Sequence, residues 1–106
     1  METLSVGMYV KFKTLSNQVK VGQIQLIDNS IYELDNNEVT ADKYIVKASY
    51  NIIDILEKGD YVNEYEVTSK DQFLGFGNHD WYMTNDEIKS IVTKEQFEAM
   101  EYKVGE

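Results

Sequence analysis

The stretch "SVGMYVKF" (residues 5–12) returns in altered form as "EKGDYVNEY" (57–65), and both contain the kernel glycine, any residue, tyrosine, valine. In the first copy Val6, Met8, Val10 and Phe12 alternate with Tyr9, Lys11 and Lys13, the period-two pattern of a half-buried strand. In the second, Tyr61, Tyr65 and Val67 alternate with Val62, Glu64 and Glu66, which predicts a strand with one apolar and one acidic edge. Glycine ahead of a strand eases a tight approach of the chain because it has no side chain. Two such openings in 106 residues predict two halves of similar strand layout, for which a shared structural need suffices without a duplication.

Outward from the first kernel, "LSNQ" (15–18), "DNS" (28–30) and "DNNE" (35–38) are turn-forming clusters between apolar runs. In "VKVGQIQLI" Val19 and Val21 share one phase and Ile24 and Leu26 the other, so a β-bulge is expected at Gly22. "IYEL" (31–34) and "YIVK" (44–47) complete four or five short strands, the pattern of a small barrel. "SYNIIDILEKG" (49–59) breaks the rhythm: Ser49 or Asn51 can cap one or two helical turns, and Gly59 is placed to end them in a left-handed conformation.

Beyond the second kernel, "FLGF" and "WYMT" flank "GNHD" (77–80) as a hairpin. "TNDEIKSIV" carries a capping box in Thr84 and Glu87, yet it parallels "TADKYIVKA" of the first half, which favours a strand. Thr93 and Gln96 can cap "KEQFEAMEY" as a short C-terminal helix. The expected architecture is mainly β: two small strand-rich, barrel-like subdomains, 1–48 and 59–106, joined by a short helix at 49–58 and closed by a terminal helix.

Nineteen acids oppose ten bases, a formal net charge of −9, and all ten bases are lysines. Phosphate-binding surfaces favour arginine forks or basic stripes, so direct binding of nucleic acid is not expected. No apolar run approaches the ~20 residues that span a bilayer, and "METLSVGMYV" lacks the layout of a secretory signal. With no cysteine, the chain needs no oxidising compartment, and the cytoplasm is the expected location.

Catalytic signatures are missing. His79 is the single histidine and cannot build a zinc site without cysteine. Gly75 and Gly77 lack the third glycine and the lysine of a phosphate loop, and no glycine-x-serine-x-glycine motif occurs. "DNSIYELDNNEV" (28–39) has isoleucine where a calcium loop needs glycine. The expectation is a protein that is not an enzyme and uses no metal or cofactor. Its contact surface is expected to combine aromatic anchors, Phe76, Trp81 and Tyr82 beside Phe73, with an acidic rim of Glu64, Glu66, Asp80, Asp86 and Glu87.

"KASYNIIDILEKGDYVNEYEV" (47–67) and "IKSIVTKEQFEAMEYKVG" (88–105) resemble segments of small proteins encoded by phages and prophages of low-GC Gram-positive bacteria. The resemblance covers about two-fifths of the chain and transfers no catalytic residue. It implies a phage accessory product of the size and acidity common among inhibitors of host defence, including anti-CRISPR proteins. The expected partner is then a host defence protein with a basic, nucleic-acid-binding surface. The alternatives are an adaptor that docks on another phage protein and a sponge for a defence signalling nucleotide.

Overall fold

A computed structural model describes residues 4–70, 73–76, 82–95 and 101–104. In the first half, strands β1 (Tyr9–Lys13), β2 (Val19–Asp28), β3 (Ile31–Leu34) and β4 (Val39–Ala41) form an antiparallel meander. A 3₁₀ turn (Asp42–Tyr44) follows, and β5 (Ile45–Ser49) returns to pair with β1, giving the order β4-β3-β2-β1-β5. The three turn clusters lie where the sequence predicts them. Each turns on an asparagine with positive φ: Asn17 at 70°, Asn29 at 56° and Asn37 at 65°. Asparagine tolerates this region because its short polar side chain can bond locally, so tight turns form here without proline.

The second half repeats the plan. Strands β6 (Tyr61–Val62), β7 (Tyr65–Lys70), β8 (Leu74–Phe76) and β9 (Tyr82–Met83) pair in succession. A 3₁₀ turn (Asn85–Glu87) leads to β10 (Ser90–Val92), which pairs with β6, and β11 (Tyr102–Lys103) adds beyond it. The order is β11-β10-β6-β7-β8-β9. "TADKYIVKA" and "TNDEIKSIV" therefore do correspond, each as a 3₁₀ turn followed by a strand. The two kernels also fold alike. Gly7 has φ +98° and Gly59 φ +97°. Gly7 N–H donates to the Ile24 carbonyl at 2.8 Å, and Ile24 N–H donates back to the Met8 carbonyl at 2.9 Å. In the second half Gly59 N–H donates to Val67 at 2.9 Å, and Val67 N–H returns to Asp60 at 2.8 Å.

Between the halves, Ile52–Ile55 form a 3₁₀ turn started by Asn51, whose side chain accepts from the Ile53 N–H. Ile52, Ile53, Ile55 and Leu56 are buried in the larger core, with Val62, Val67, Leu74, Phe76, Ile88, Ile91 and Tyr102. Val21 of β2 also enters this core. A smaller core holds Met8, Val10, Phe12, Ile24, Tyr32 and Leu34. β1 and β2 thus bury side chains on both faces.

Two-sided burial corrects several expectations. The phase change along β2 reflects Val21 and Ile24 entering different cores; Gly22 lies in the regular ladder opposite Val10. A Cβ at Gly22 would come 2.9 Å from Leu34 Cδ1, so glycine is needed there for close packing. The register shift falls instead between Ile24 and Leu26. Residues 61–67 are a hairpin and not one strand, because Asn63 and Glu64 both take positive φ and reverse the chain. Each sheet ends in strands with a single neighbour, so barrel closure is absent among the described residues. At the C-terminus, Lys94 and Glu95 form a turn and Tyr102 is in a strand; the rest of the expected helix, 96–100, lies outside the described residues. No described helix is long and apolar enough to cross a membrane.

Candidate partner-binding surface

The expected contact residues separate into three groups. Glu64 and Glu66 are exposed, but Glu64 sits in the hairpin turn with φ 74° and Glu66 on β7 opposite Tyr61. They do not form a row of anions along one strand. Asp86 and Glu87 are exposed in the second 3₁₀ turn. Phe76 is buried in the larger core at 2% exposure and cannot be a surface anchor. Its ring meets the Tyr65 ring nearly edge-on, with centroids 6.5 Å apart. Tyr65 and Phe73, at 57% and 41% exposure, are the most exposed aromatic side chains of 59–106 among the described residues. Tyr82 lies on β9, whereas Asp80 and Trp81 lie outside the described residues.

One side chain gathers the acidic segments. Asn63 Nδ2 donates to the Glu87 carbonyl at 2.8 Å, and its Oδ1 accepts from the N–H groups of Lys89 at 2.8 Å and Ser90 at 3.0 Å. The turn bearing Glu64 is thereby clasped to the segment bearing Asp86 and Glu87. The Glu87 carboxylate accepts 3.0 Å bonds from the N–H and hydroxyl of Thr84, which hold it below the ordinary glutamate range. The capping box read from the sequence thus serves a single turn. A shallow depression at this end is lined by Glu64 and Glu101 together with Lys89 and Lys103, so lysines interrupt the acidic character locally. Over longer range the halves differ. Residues 1–48 carry six acids and five lysines, while 59–106 carry eleven acids and four lysines.

Sequence reasoning missed the ionic cluster between the halves. Lys11, an apparently outward residue of β1, is 2% exposed, and its Nζ lies 3.0 Å from Asp60 Oδ2 and 3.3 Å from Glu57 Oε1. Asp60, fully buried, also accepts from the N–H groups of Glu57 and Lys94 at 2.9 Å each. Lys94 bonds Glu57 at 3.2 Å and, with Lys11, holds that carboxylate low against an opposing effect of burial. Lys70 donates to the carbonyls of Asp54 and Leu56, and burial lowers its pKa. Two further bonds cross between the halves: Thr93 Oγ1 donates to the Val19 carbonyl at 3.0 Å, and the Tyr102 hydroxyl donates to Asp35 Oδ2 at 2.6 Å. These groups satisfy one another, as buried polar groups must. The available signal was Lys11 in the same strand phase as Tyr9, but its partners are 46 and 49 residues away.

Among the described residues no group of three or more His, Asp or Glu side chains is placed to hold a metal ion. His79 lies outside them. Among known protein families, curated proteins and solved structures, none matches this chain.

Proposed function

We propose that the protein is a non-enzymatic binding module, a phage accessory product of the anti-CRISPR type, whose second half engages a basic, nucleic-acid-binding surface of a host defence protein. The observation that carries this reading is the segregation of charge: eleven of the nineteen acids fall in 59–106, against six in 1–48. The clasp of Asn63 holds Glu64 beside the segment of Asp86 and Glu87 on a packed frame. Fixed anions of this kind meet a basic groove without the ordering cost of a mobile tail. Duplex DNA carries about one charge per 1.7 Å of axis, so a phosphate mimic has to draw carboxylates from several elements; the hairpin turn, β7 and the 3₁₀ turn each carry exposed ones. We also take each half as a small barrel in kind: a four-strand meander whose fifth strand returns beside the first is a plan that curvature can close.

Rim charges act chiefly on association rate and salt dependence. Reversal of Glu64 and Glu66 to lysine is therefore expected to slow association about tenfold at low salt and to flatten its salt dependence, with dissociation little changed. The experiment is affinity capture from host lysate, followed by binding kinetics of the captured partner at two salt concentrations. Capture of virion proteins alone, or kinetics indifferent to salt and to both reversals, would replace this reading with the adaptor one.

A further inference from the structure

The first half carries a groove of about 490 Å³ between the tip of the β1–β2 hairpin and β4 with its following 3₁₀ turn. Its lining includes three of the exposed large apolar side chains, Leu15 at 89%, Val39 at 57% and Ile31 at 43% exposure. Scattered exposed apolar residues are ordinary, but three on one groove form a patch of the kind that marks contact sites. The groove is bounded by β4, a three-residue strand that among the described residues is paired on one side only, so its other edge can accept another strand.

Two polar features specify what would fit. Thr40 of β4 lines the groove at 5% exposure, and its hydroxyl is buried with no hydrogen-bond partner among the described residues. A buried hydroxyl left unpaired is costly, and rotation about χ1 would offer it to an incoming backbone group. Lys13 is exposed at the rim and makes no ion pair among the described residues, while Lys20 is paired with Glu38. Tyr44 also lines the groove, and the neighbouring Lys43 rests over its ring, 5.1 Å from the centroid. An acidic ligand is tolerated here because residues 1–48 are nearly neutral, with six acids against five lysines.

We infer that this groove takes an extended peptide segment that adds to the edge of β4 and alternates apolar with acidic side chains. Alternation follows from strand geometry: every second side chain of an added strand points into the groove, and those between can reach the lysines. This site is on the opposite half from the acidic surface and does not depend on it.

The test uses the full chain, isotope-labelled, and two capped heptapeptides at millimolar concentration. In one, glutamate alternates with valine and leucine; in the other, lysine replaces each glutamate. The glutamate peptide is expected to shift amide resonances of residues 13–18, 31 and 38–44, and the lysine peptide to leave them in place. Lys13→Glu, an exposed substitution, should weaken the glutamate peptide roughly tenfold. Thr40→Val should raise the melting temperature of the free protein and yet weaken the peptide, since it removes an orphaned hydroxyl that the ligand would satisfy. Equal shifts from both peptides, shifts confined to the second half, or undiminished affinity of Thr40→Val would each overturn the inference.

Discussion

Gly7-Met8-Tyr9-Val10 and Gly59-Asp60-Tyr61-Val62 occupy the same place in the same strand plan, with glycine φ angles of +98° and +97° and the same reciprocal pair of backbone bonds. The second residue of the kernel is where they part. Met8 is buried in the smaller apolar core, whereas Asp60 is buried against Lys11 of the other half. The surfaces diverge too: an apolar groove near neutral charge on one half, a concentration of carboxylates on the other. A backbone frame set by a left-handed glycine and a returning fifth strand leaves its variable positions free. One copy can spend such a position on packing and the other on joining the two copies.

Asp60 is the kernel position whose loss is expected to cost most. Removing its carboxylate in Asp60→Ala leaves Lys11 buried with only Glu57 for a partner and orphans two backbone N–H groups. Loss of one member of a buried pair costs about 3–5 kcal/mol, so this variant is expected to be largely unfolded or to lose most of its urea midpoint. Lys11→Met combined with Asp60→Ala should cost less than the sum of the single changes, because each removes the other's unpaired charge. Strict additivity in urea titrations would show that the pair is not coupled.

The two kernel glycines should respond alike. Gly7→Val and Gly59→Val each force a β-branched side chain into a left-handed conformation, at about 1–3 kcal/mol apiece. The losses should agree within about 0.5 kcal/mol if the kernels are equivalent, with Gly59 the more affected because a Cβ there also meets the Lys94 side chain at 3.4 Å. A tolerated valine at either site, read as an unchanged melting temperature, would end the equivalence.

A smaller effect is expected where Tyr102 of the second half bonds Asp35 of the first. Burial, followed by this hydrogen bond, raises the phenol pKa. The folded protein therefore holds the proton more tightly than the unfolded chain, in which tyrosine titrates near 10. The contribution is complete below about pH 10 and is lost as pH rises towards the folded value. Tyr102→Phe should cost about 1–2 kcal/mol at neutral pH and reduce the stability lost above about pH 10. Parallel stability–pH curves for variant and parent would contradict the assignment.

What the sequence made legible was local. The turn clusters name their own asparagines, Gly59 announces its left-handed angle, and the kernel with its parallel "TADKYIVKA" and "TNDEIKSIV" segments reveals the repeat. What stayed hidden depends on distant contacts or on an unmarked turn. Glu64 at φ 74° is a residue type with no preference for that conformation, so the hairpin at 61–67 looks like a single strand. Phe76 sits beside glycines as a surface anchor would, yet the packing of β8 turns it inward. Lys11 reads as solvent-facing until the other half covers its strand. Of the candidate surface, Glu64, Glu66, Asp86 and Glu87 were legible as exposed, but the clasp through Asn63 was not, because it reaches 24 to 27 residues along the chain.

The two strand frames, joined through the larger core and the Lys11–Asp60 pair, are expected to unfold as a single cooperative unit. Native-state hydrogen exchange in rising urea tests it most directly, on the amides of Val21 and Ile24 in the first half and Val62 and Val67 in the second. All four are expected to converge on one unfolding free energy and one urea dependence as the global transition is approached. Two separate plateaus, with the β1–β2 amides opening while Val62 and Val67 remain protected, would show two independent domains and contradict it.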